Sequence, residues 1–212
     1  LDEPFYAHYL SISGLNHPGR DKILDFQSTN WDEVIQKCTN PNFQEKILSY
    51  QKHMAQHNLR GFDISWIKDV QNCILIRDPK HVIASYENKY PVKDERYLGY
   101  IQQAEIIEFL EKENSTTPPI IDADDILKNP ESMIKKLCKV LDIAFYPSML
   151  SWPKGARDSD GVWGPYWYEG VYDSTGFKPY TEKEVSLNDN LTYIYESCNK
   201  YYDSFYKRRL KL

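Results

Sequence analysis

The chain is poor in several features that would direct its reading at once. No apolar run approaches the roughly 20 residues of a membrane-spanning helix; the densest candidate, Cys73-Ile74-Leu75-Ile76, is only long enough for a buried strand. There is no block of Lys or Arg, and the formal net charge is −5. Nucleic acid is therefore not expected as a partner, because neutralising its phosphates needs a basic face. A small anionic ligand needs only a few local cations and stays open. The four cysteines (Cys38, Cys73, Cys138 and Cys198) form no C-x-x-C pair and fit no zinc spacing. Cys73 and Cys138 sit in apolar patterns and read as buried, reduced thiols, so a cytoplasmic location is expected. No start resembling a signal peptide is present. No internal repeat, low-complexity tract or Gly-rich strand-to-helix turn occurs among the 212 residues.

What is present is an ordinary globular composition, 41% hydrophobic and 27% charged, with 17 tyrosines. The length suits one domain over residues 1–212. Asn30 reads as a helix cap, with Glu33 placed for a capping box, ahead of a helix ending near Cys38. Asn40-Pro41 marks a second short helix start. Lys46 to Gln51 alternates loosely and reads as a strand. Asp63 to Val70 reads as one or two helical turns. Asn72 to Ile76 is a continuous apolar run, expected to be a strand covered on both faces. Asp78-Pro79 opens a helix that runs to about Tyr90, where Pro91 stops it. A long helix is predicted from about Asp94 to Lys112, with Ile101, Ala104, Ile107 and Leu110 on one stripe. Pro118 to Ile121 leads a short strand, and Asn129-Pro130-Glu131 starts a helix whose inner face is Met133, Leu137, Val140 and Leu141. The alternation of strand and helix predicts an α/β fold with a parallel sheet flanked by crossover helices. Residues 151–187, rich in Trp, Tyr, Gly and Pro, are too many for an idle connection; they form either a functional lid or an aromatic cover for the core. A last helix is predicted from Leu191 to Arg209.

The chemistry concentrates in Ile74-Leu75-Ile76-Arg77-Asp78-Pro79-Lys80-His81-Val82-Ile83-Ala84-Ser85-Tyr86. A buried strand delivers Arg77 at its C-terminal end, the usual ligand edge of an α/β sheet. A guanidinium offers a planar fork of donors to a phosphate, and Ser85, eight residues on, adds a hydroxyl if the helix returns it to the same cleft. The other reading is an Arg-Asp pair at a strand end followed by a helical Ser of no consequence. Upstream, His53 has the residue type for a general base near neutral pH; alternatively it is a surface or capping His. His57, four residues on, lacks a third ligand, so no metal is expected.

These residues resemble the 3′-phosphate-binding motif of sulfotransferases that use 3′-phosphoadenosine 5′-phosphosulfate (PAPS): an Arg-x-Pro at a strand end, followed by Ser-Tyr on the helix. Arg77, Pro79, Ser85 and Tyr86 match it in identity and spacing. Ser49-Tyr50-Gln51-Lys52-His53-Met54 is similar to the family's strand ending in Lys-x-His-Leu, with His53 in the place of the general base and Gln51 in that of the Lys. Ile120 to Pro130 resembles the family's strand, acidic turn and Pro-started helix, although Ala123 stands where a Tyr borders the adenine. Trp152-Pro153-Lys154-Gly155-Ala156-Arg157, with Trp163, resembles its late Arg-Lys-Gly…Gly-Asp-Trp loop. Asp2-Glu3-Pro4-Phe5-Tyr6-Ala7-His8-Tyr9, Gly161-Val162-Trp163 and Ser174-Thr175-Gly176-Phe177 look like a bacterial and plant branch of sulfotransferase-like proteins.

The resemblance implies a P-loop-NTPase-like sulfotransferase fold. It implies transfer of a sulfuryl group from PAPS, leaving PAP, to a hydroxyl or amine of a small-molecule or glycan acceptor, with no metal. It implies His53 as base, and Arg77, Ser85, Lys154 and Gly155 on the cofactor. Glu3 and His8 face the acceptor or else cap a loop. The family's first strand, 5′-phosphosulfate loop and first helix have no counterpart and would precede Leu1. Gly14 to Gly19, with Asn16-His17-Pro18 and no Lys-Ser/Thr after it, does not replace that loop. Two expectations follow: the chain is the truncated remainder of an enzyme, or it is an inactive nucleotide-binding or scaffold domain.

Overall fold

The fold, a computed structural model, describes residues 1–40 and 48–212. It mixes helices with a small parallel sheet. Strand β1 (Ile74–Ile76) pairs in parallel with β2 (Ile120–Asp122) in the register Ile74↔Ile120 and Ile76↔Asp122. Both are short and apolar, and the chain between them crosses over through helices, as parallel pairing requires. A further parallel bridge joins Asp2 to Lys52. There the Lys52 amide donates to Leu1 O (2.9 Å) and the Glu3 amide to Lys52 O (2.8 Å). The strand expected from Lys46 to Gln51 is reduced to this one bridge: residues 46 and 47 lie outside the described residues, and 48–51 carry no regular structure. The short helix expected to start at Asn40-Pro41 would run over residues 41–47, which lie outside those described.

Two helices unannounced in the sequence open the chain, α1 (Tyr6–Ser13) and α2 (Arg20–Phe26). Five of the first helix's residues are buried, His8 among them, so it lacks the polar face that would mark it as amphipathic. Helix α3 (Trp31–Thr39) begins at Asn30, whose side chain accepts from the Asp32 and Glu33 amides. The capping box closes differently from the expectation. Ser28 Oγ sits between the Asn30 amide (3.1 Å) and Glu33 Oε2 (2.6 Å), relaying the contact that Glu33 would make directly.

Helix α4 (Pro79–Glu87) follows β1, capped by Asp78 and with Pro79 in its first turn. The long helix expected from Asp94 is split. A 3-10 turn (Glu95–Leu98) ends at Gly99, and α5 (Tyr100–Asn114) starts after it. Gly99 has φ 84°, and a Cβ there would lie 3.0 Å from Gln56 Oε1, so the break needs glycine. Asp122 accepts from the Asp124 and Asp125 amides to start α6 (Ala123–Lys128). Pro130 starts α7 (Pro130–Val140), which buries Met133 and Cys138. Val140, placed by the periodicity on the inner face, is 48% exposed at the helix's last turn.

Segment 151–177 holds only two short helices, α8 (Gly164–Trp167) and α9 (Glu169–Tyr172). It is closed at its base by the antiparallel bridge Ser151↔Gly176. Helix α10 (Thr192–Arg208) crosses both strands and packs on α4 and α5. Beyond it the Leu210 amide donates to Ile120 O (2.7 Å) and Arg209 Nε to Asp125 Oδ2 (2.7 Å), tying the helix end to β2.

The buried apolar residues form three clusters. One, around Phe5, Trp31, Trp66, Ile74, Ile76 and Phe205, lies beneath the sheet. A second joins Ile83 of α4 to Tyr100, Ile194 and Cys198. A third packs α1 and α2 on Trp163. Leu75 overturns the two-faced burial expected for β1: it is 57% exposed between buried Ile74 and Ile76, because no described element lies over that face. Cys73, read as a buried thiol, is exposed; Cys38, Cys138 and Cys198 are buried, and all four are free. Among the described residues no helix is long and apolar enough to cross a membrane.

Candidate functional site

Arg77 is the first residue after β1. The Tyr100 hydroxyl donates to its carbonyl at 2.7 Å, which fixes the backbone where strand turns into helix. Asp78 is occupied elsewhere: its Oδ1 accepts the Lys80 amide at 2.7 Å as the cap of α4. The Arg-Asp pair that would explain Arg77 structurally is therefore not made. Among the described residues no carboxylate comes within ion-pair distance of the guanidinium, and its buried Nε has no partner. A buried donor left unmade costs about 1–3 kcal/mol, more when charged. Such a group is suited to an anion brought from outside the chain. Ser85 lies on the exposed side of α4, opposite buried Pro79 and Ile83, and its hydroxyl has no partner among the described residues. No described contact joins Ser85 to Arg77.

Lys154 and Gly155 stand at the entrance to segment 151–177. Trp152 anchors that entrance, its amide donating to Thr175 O (3.0 Å) and its Nε1 to Ser174 Oγ (2.9 Å). Gly155 has φ 101°, which favours glycine, and its amide donates to Tyr172 O at 2.9 Å. Lys154 Nζ lies 3.3 Å from Asp173 in a pair exposed on both sides. Neither residue touches Arg77 or Ser85 among the described contacts.

His53 is half-buried, tilted against Phe5 and Trp66. Its Nε2 lies 3.1 Å from Gln51 Oε1. With that oxygen accepting, Nε2 carries the proton and Nδ1 the lone pair. Burial pushes its pKa down to about 4. The imidazole is thus neutral, the state a proton acceptor needs. His8, 2% exposed, donates from Nδ1 to Thr29 O at 2.8 Å. This leaves its Nε2 lone pair buried without a partner.

Glu3 belongs to a charge network that the sequence did not announce. It is 7% exposed and has φ 40°, a left-handed backbone uncommon for a residue with a side chain. Its Oε1 accepts from Lys52 Nζ and, at 2.8 Å, from the Tyr168 hydroxyl. That hydroxyl also lies 2.8 Å from Asp2 Oδ1 and 2.8 Å from Lys52 Nζ, and accepts from Trp163 Nε1 at 3.0 Å. The Gly161 amide closes the group on Asp2 Oδ2 at 3.1 Å. Burial raises the Glu3 pKa, and Lys52 opposes the shift by its charge and its hydrogen bond. Two carboxylates and one ammonium thus hold segment 161–168 onto the start of the chain. Asp2, Lys52 and Tyr168 are the members sequence reasoning missed. Asp2 and Lys52 are joined by a single bridge, too short a pairing to leave a period in the sequence. No local pattern pairs Tyr168 with Glu3, 165 positions away.

His17 lies between two phenols and is likewise held near pKa 4 by burial. His53 and His17 together set a pH dependence. Their folded pKa values lie below the unfolded value of about 6.5, so between pH 6.5 and 4 the unfolded chain binds more protons and stability falls as pH falls. A loss of about 2–3 kcal/mol for the pair from pH 7 to 4.5 is expected in urea melts. Each tenfold change in proton affinity corresponds to about 1.4 kcal/mol; the partial exposure of His53, and local opening that lets a buried ring take a proton short of full unfolding, reduce the sum. His17→Gln should flatten the profile; an unchanged slope would show that His17 does not contribute.

The model of the sulfotransferase domain matches residues 1–204. The chain belongs to the sulfotransferase domain family. Two curated relatives, both from Arabidopsis thaliana, match this sulfotransferase-family chain. Branched-chain-amino-acid aminotransferase-like protein 1 is 34% identical over 177 residues, covering 84% of the chain and 31% of the relative. Branched-chain-amino-acid aminotransferase-like protein 2 is 33% identical with the same coverage. The match thus spans under a third of the length of these relatives, whose names describe another reaction. No solved structure matches.

Proposed function

We propose that this sulfotransferase-family chain works with PAPS as donor, in transfer of a sulfuryl group to a hydroxyl or amine of a small-molecule or glycan acceptor. In this reading residues 1–212 act as one domain of P-loop-NTPase-like α/β type, in the cytoplasm. The observation that carries it is the Arg77 guanidinium: at the C-terminal end of a parallel strand, with no carboxylate partner and a buried Nε lacking an acceptor among the described residues. A terminal phosphate presents oxygens that suit that fork of donors. Arg77 and Ser85 would hold the 3′-phosphate. Ser85 sits six residues into α4, roughly 9 Å along its axis from Pro79 at 1.5 Å per residue, so the phosphate would lie along the helix flank.

Lys154 and Gly155 would add donors from segment 151–177. Lys154 would have to leave Asp173, and an exposed pair of this kind holds it by no more than about 1 kcal/mol. Glu3 and His8 would face the acceptor. His53 would accept the acceptor's proton at Nδ1. When bound, PAPS supplies the sulfuryl group and its leaving phosphate; the chain's own part is positioning, charge compensation and holding a proton.

Replacing Arg77 with Ala in the full-length protein is expected to raise the PAPS concentration required for turnover about tenfold or more, the equivalent of one charge-assisted hydrogen bond. Saturation curves against PAPS measure this. An unchanged requirement would remove the donor assignment and leave a sulfotransferase-related domain without this chemistry.

A further inference from the structure

The turn Gly14-Leu15-Asn16-His17-Pro18-Gly19 joins α1 to α2 and has no part in the function so far. Its centre, His17, is 5% exposed. Both ring nitrogens are used: Nδ1 lies 2.9 Å from the Tyr6 hydroxyl on α1, and Nε2 lies 2.8 Å from the Tyr86 hydroxyl on α4. Tyr90 and Trp167 meet the ring edge-on. The turn is held shut from outside, since a Cβ on Gly19 would fall 2.3 Å from the Tyr166 ring. Burial keeps the imidazole neutral and both phenols protonated. One ring nitrogen therefore donates to a phenol oxygen while the other accepts from the second phenol, a bridge without net charge.

Tyr86 is the residue after Ser85. Helix α4 has nine residues and fully buries only Pro79 and Ile83, with Val82 and Tyr86 partly buried on the same packed side, so its angle about its own axis is set by contacts on that one side. Ile83, in the cluster with Tyr100 and Ile194, is the apolar anchor of that side. Tyr86, one turn on, shares that packed face and is tied by its hydroxyl to His17, while Ser85 stands on the opposite, exposed side, so the angle at which this face is held sets the direction of Ser85. We propose that His17 is a positioning residue for the 3′-phosphate site: by bridging Tyr6 of α1 and Tyr86 of α4, it fixes the direction in which Ser85 presents its hydroxyl. The inference rests on Arg77 and Ser85 binding that phosphate.

The test is calorimetric binding of PAP and of AMP, which lacks the 3′-phosphate, to the full-length protein and its variants, with near-ultraviolet circular dichroism checking the fold. Tyr86→Phe removes one hydroxyl and no core volume, and should lower the preference for PAP over AMP about fivefold, since small misplacements of a binding group are costly. His17→Phe should do the same, and the double variant should lose no more than either single one, because both break one bridge. His17→Gln, which can both donate and accept, should keep most of the preference. A preference undiminished in folded Tyr86→Phe and His17→Phe overturns the inference, as does a double variant whose loss is the product of the two. A wild-type protein that binds PAP no better than AMP instead overturns the underlying assignment of the phosphate site.

Discussion

Replacing Lys52 with methionine is expected to cost the fold about 2–3 kcal/mol, toward the lower end of what breaking a buried ion pair costs. Methionine keeps the length and apolar stem of the side chain and removes the ammonium. Glu3 and Asp2 would then face each other and the Tyr168 hydroxyl without a cation, Glu3 almost wholly out of water. The cost has a ceiling. A buried carboxylate escapes by taking a proton, and from its ordinary value of 4.5 that requires roughly 3.4 kcal/mol at pH 7. Partial exposure of Lys52 lowers the figure further. At roughly 2–4 °C per kcal/mol for a chain of this size, thermal unfolding should shift down by about 5–10 °C. The pH dependence carries the signature. Without Lys52 the folded pKa of Glu3 rises further above its unfolded value, so the folded state binds the extra proton and the deficit shrinks as pH falls toward 5. Adding Glu3→Gln to the methionine variant should recover much of the loss at pH 7. A deficit independent of pH, or one that Glu3→Gln deepens, would show that the network is not the source.

His53→Ala should lower kcat by at least about 10²-fold, the lower end of what a general base contributes, while PAP still binds. Binding should survive because His53 lies against Phe5 and Trp66 and shares no described contact with Arg77. The depressed pKa predicts where the acid limb of kcat/KM falls. It should lie near pH 4, well below the usual imidazole range, because only the neutral ring accepts a proton. Normal turnover in His53→Ala would remove it as base. If Glu3→Gln then abolished turnover in a folded protein, the role would pass to that carboxylate, whose pKa burial already moves toward neutrality.

Which of these features the sequence disclosed follows from the range of the forces that make them. Asn30, Asp78 and Pro130 act within one helical turn, and each marks its helix start correctly. Strand β1 and Arg77 after it were legible for the same reason. Gly99 was in plain view, but its effect depends on Gln56, which packs against it from a distant part of the chain. The first helix was hidden because it is buried nearly all round, which erases the periodic signal. Leu75 and Val140 fit apolar patterns, yet which faces are covered is a property of the assembled layers. The Glu3–Lys52–Tyr168 network was the least legible, since its members meet only when the chain's opening residues, its middle and its aromatic segment come together.

Gly19 and Tyr166 are so close that they constrain each other's inheritance. Position 19 has φ 76° and no space for a methyl group while the ring occupies its place. A mutation adding a side chain there would have to be accompanied by a smaller residue at 166 or by displacement of the helix that bears it. Drift at these two positions should therefore be correlated across descendants of this chain, with glycine retained wherever the aromatic ring persists.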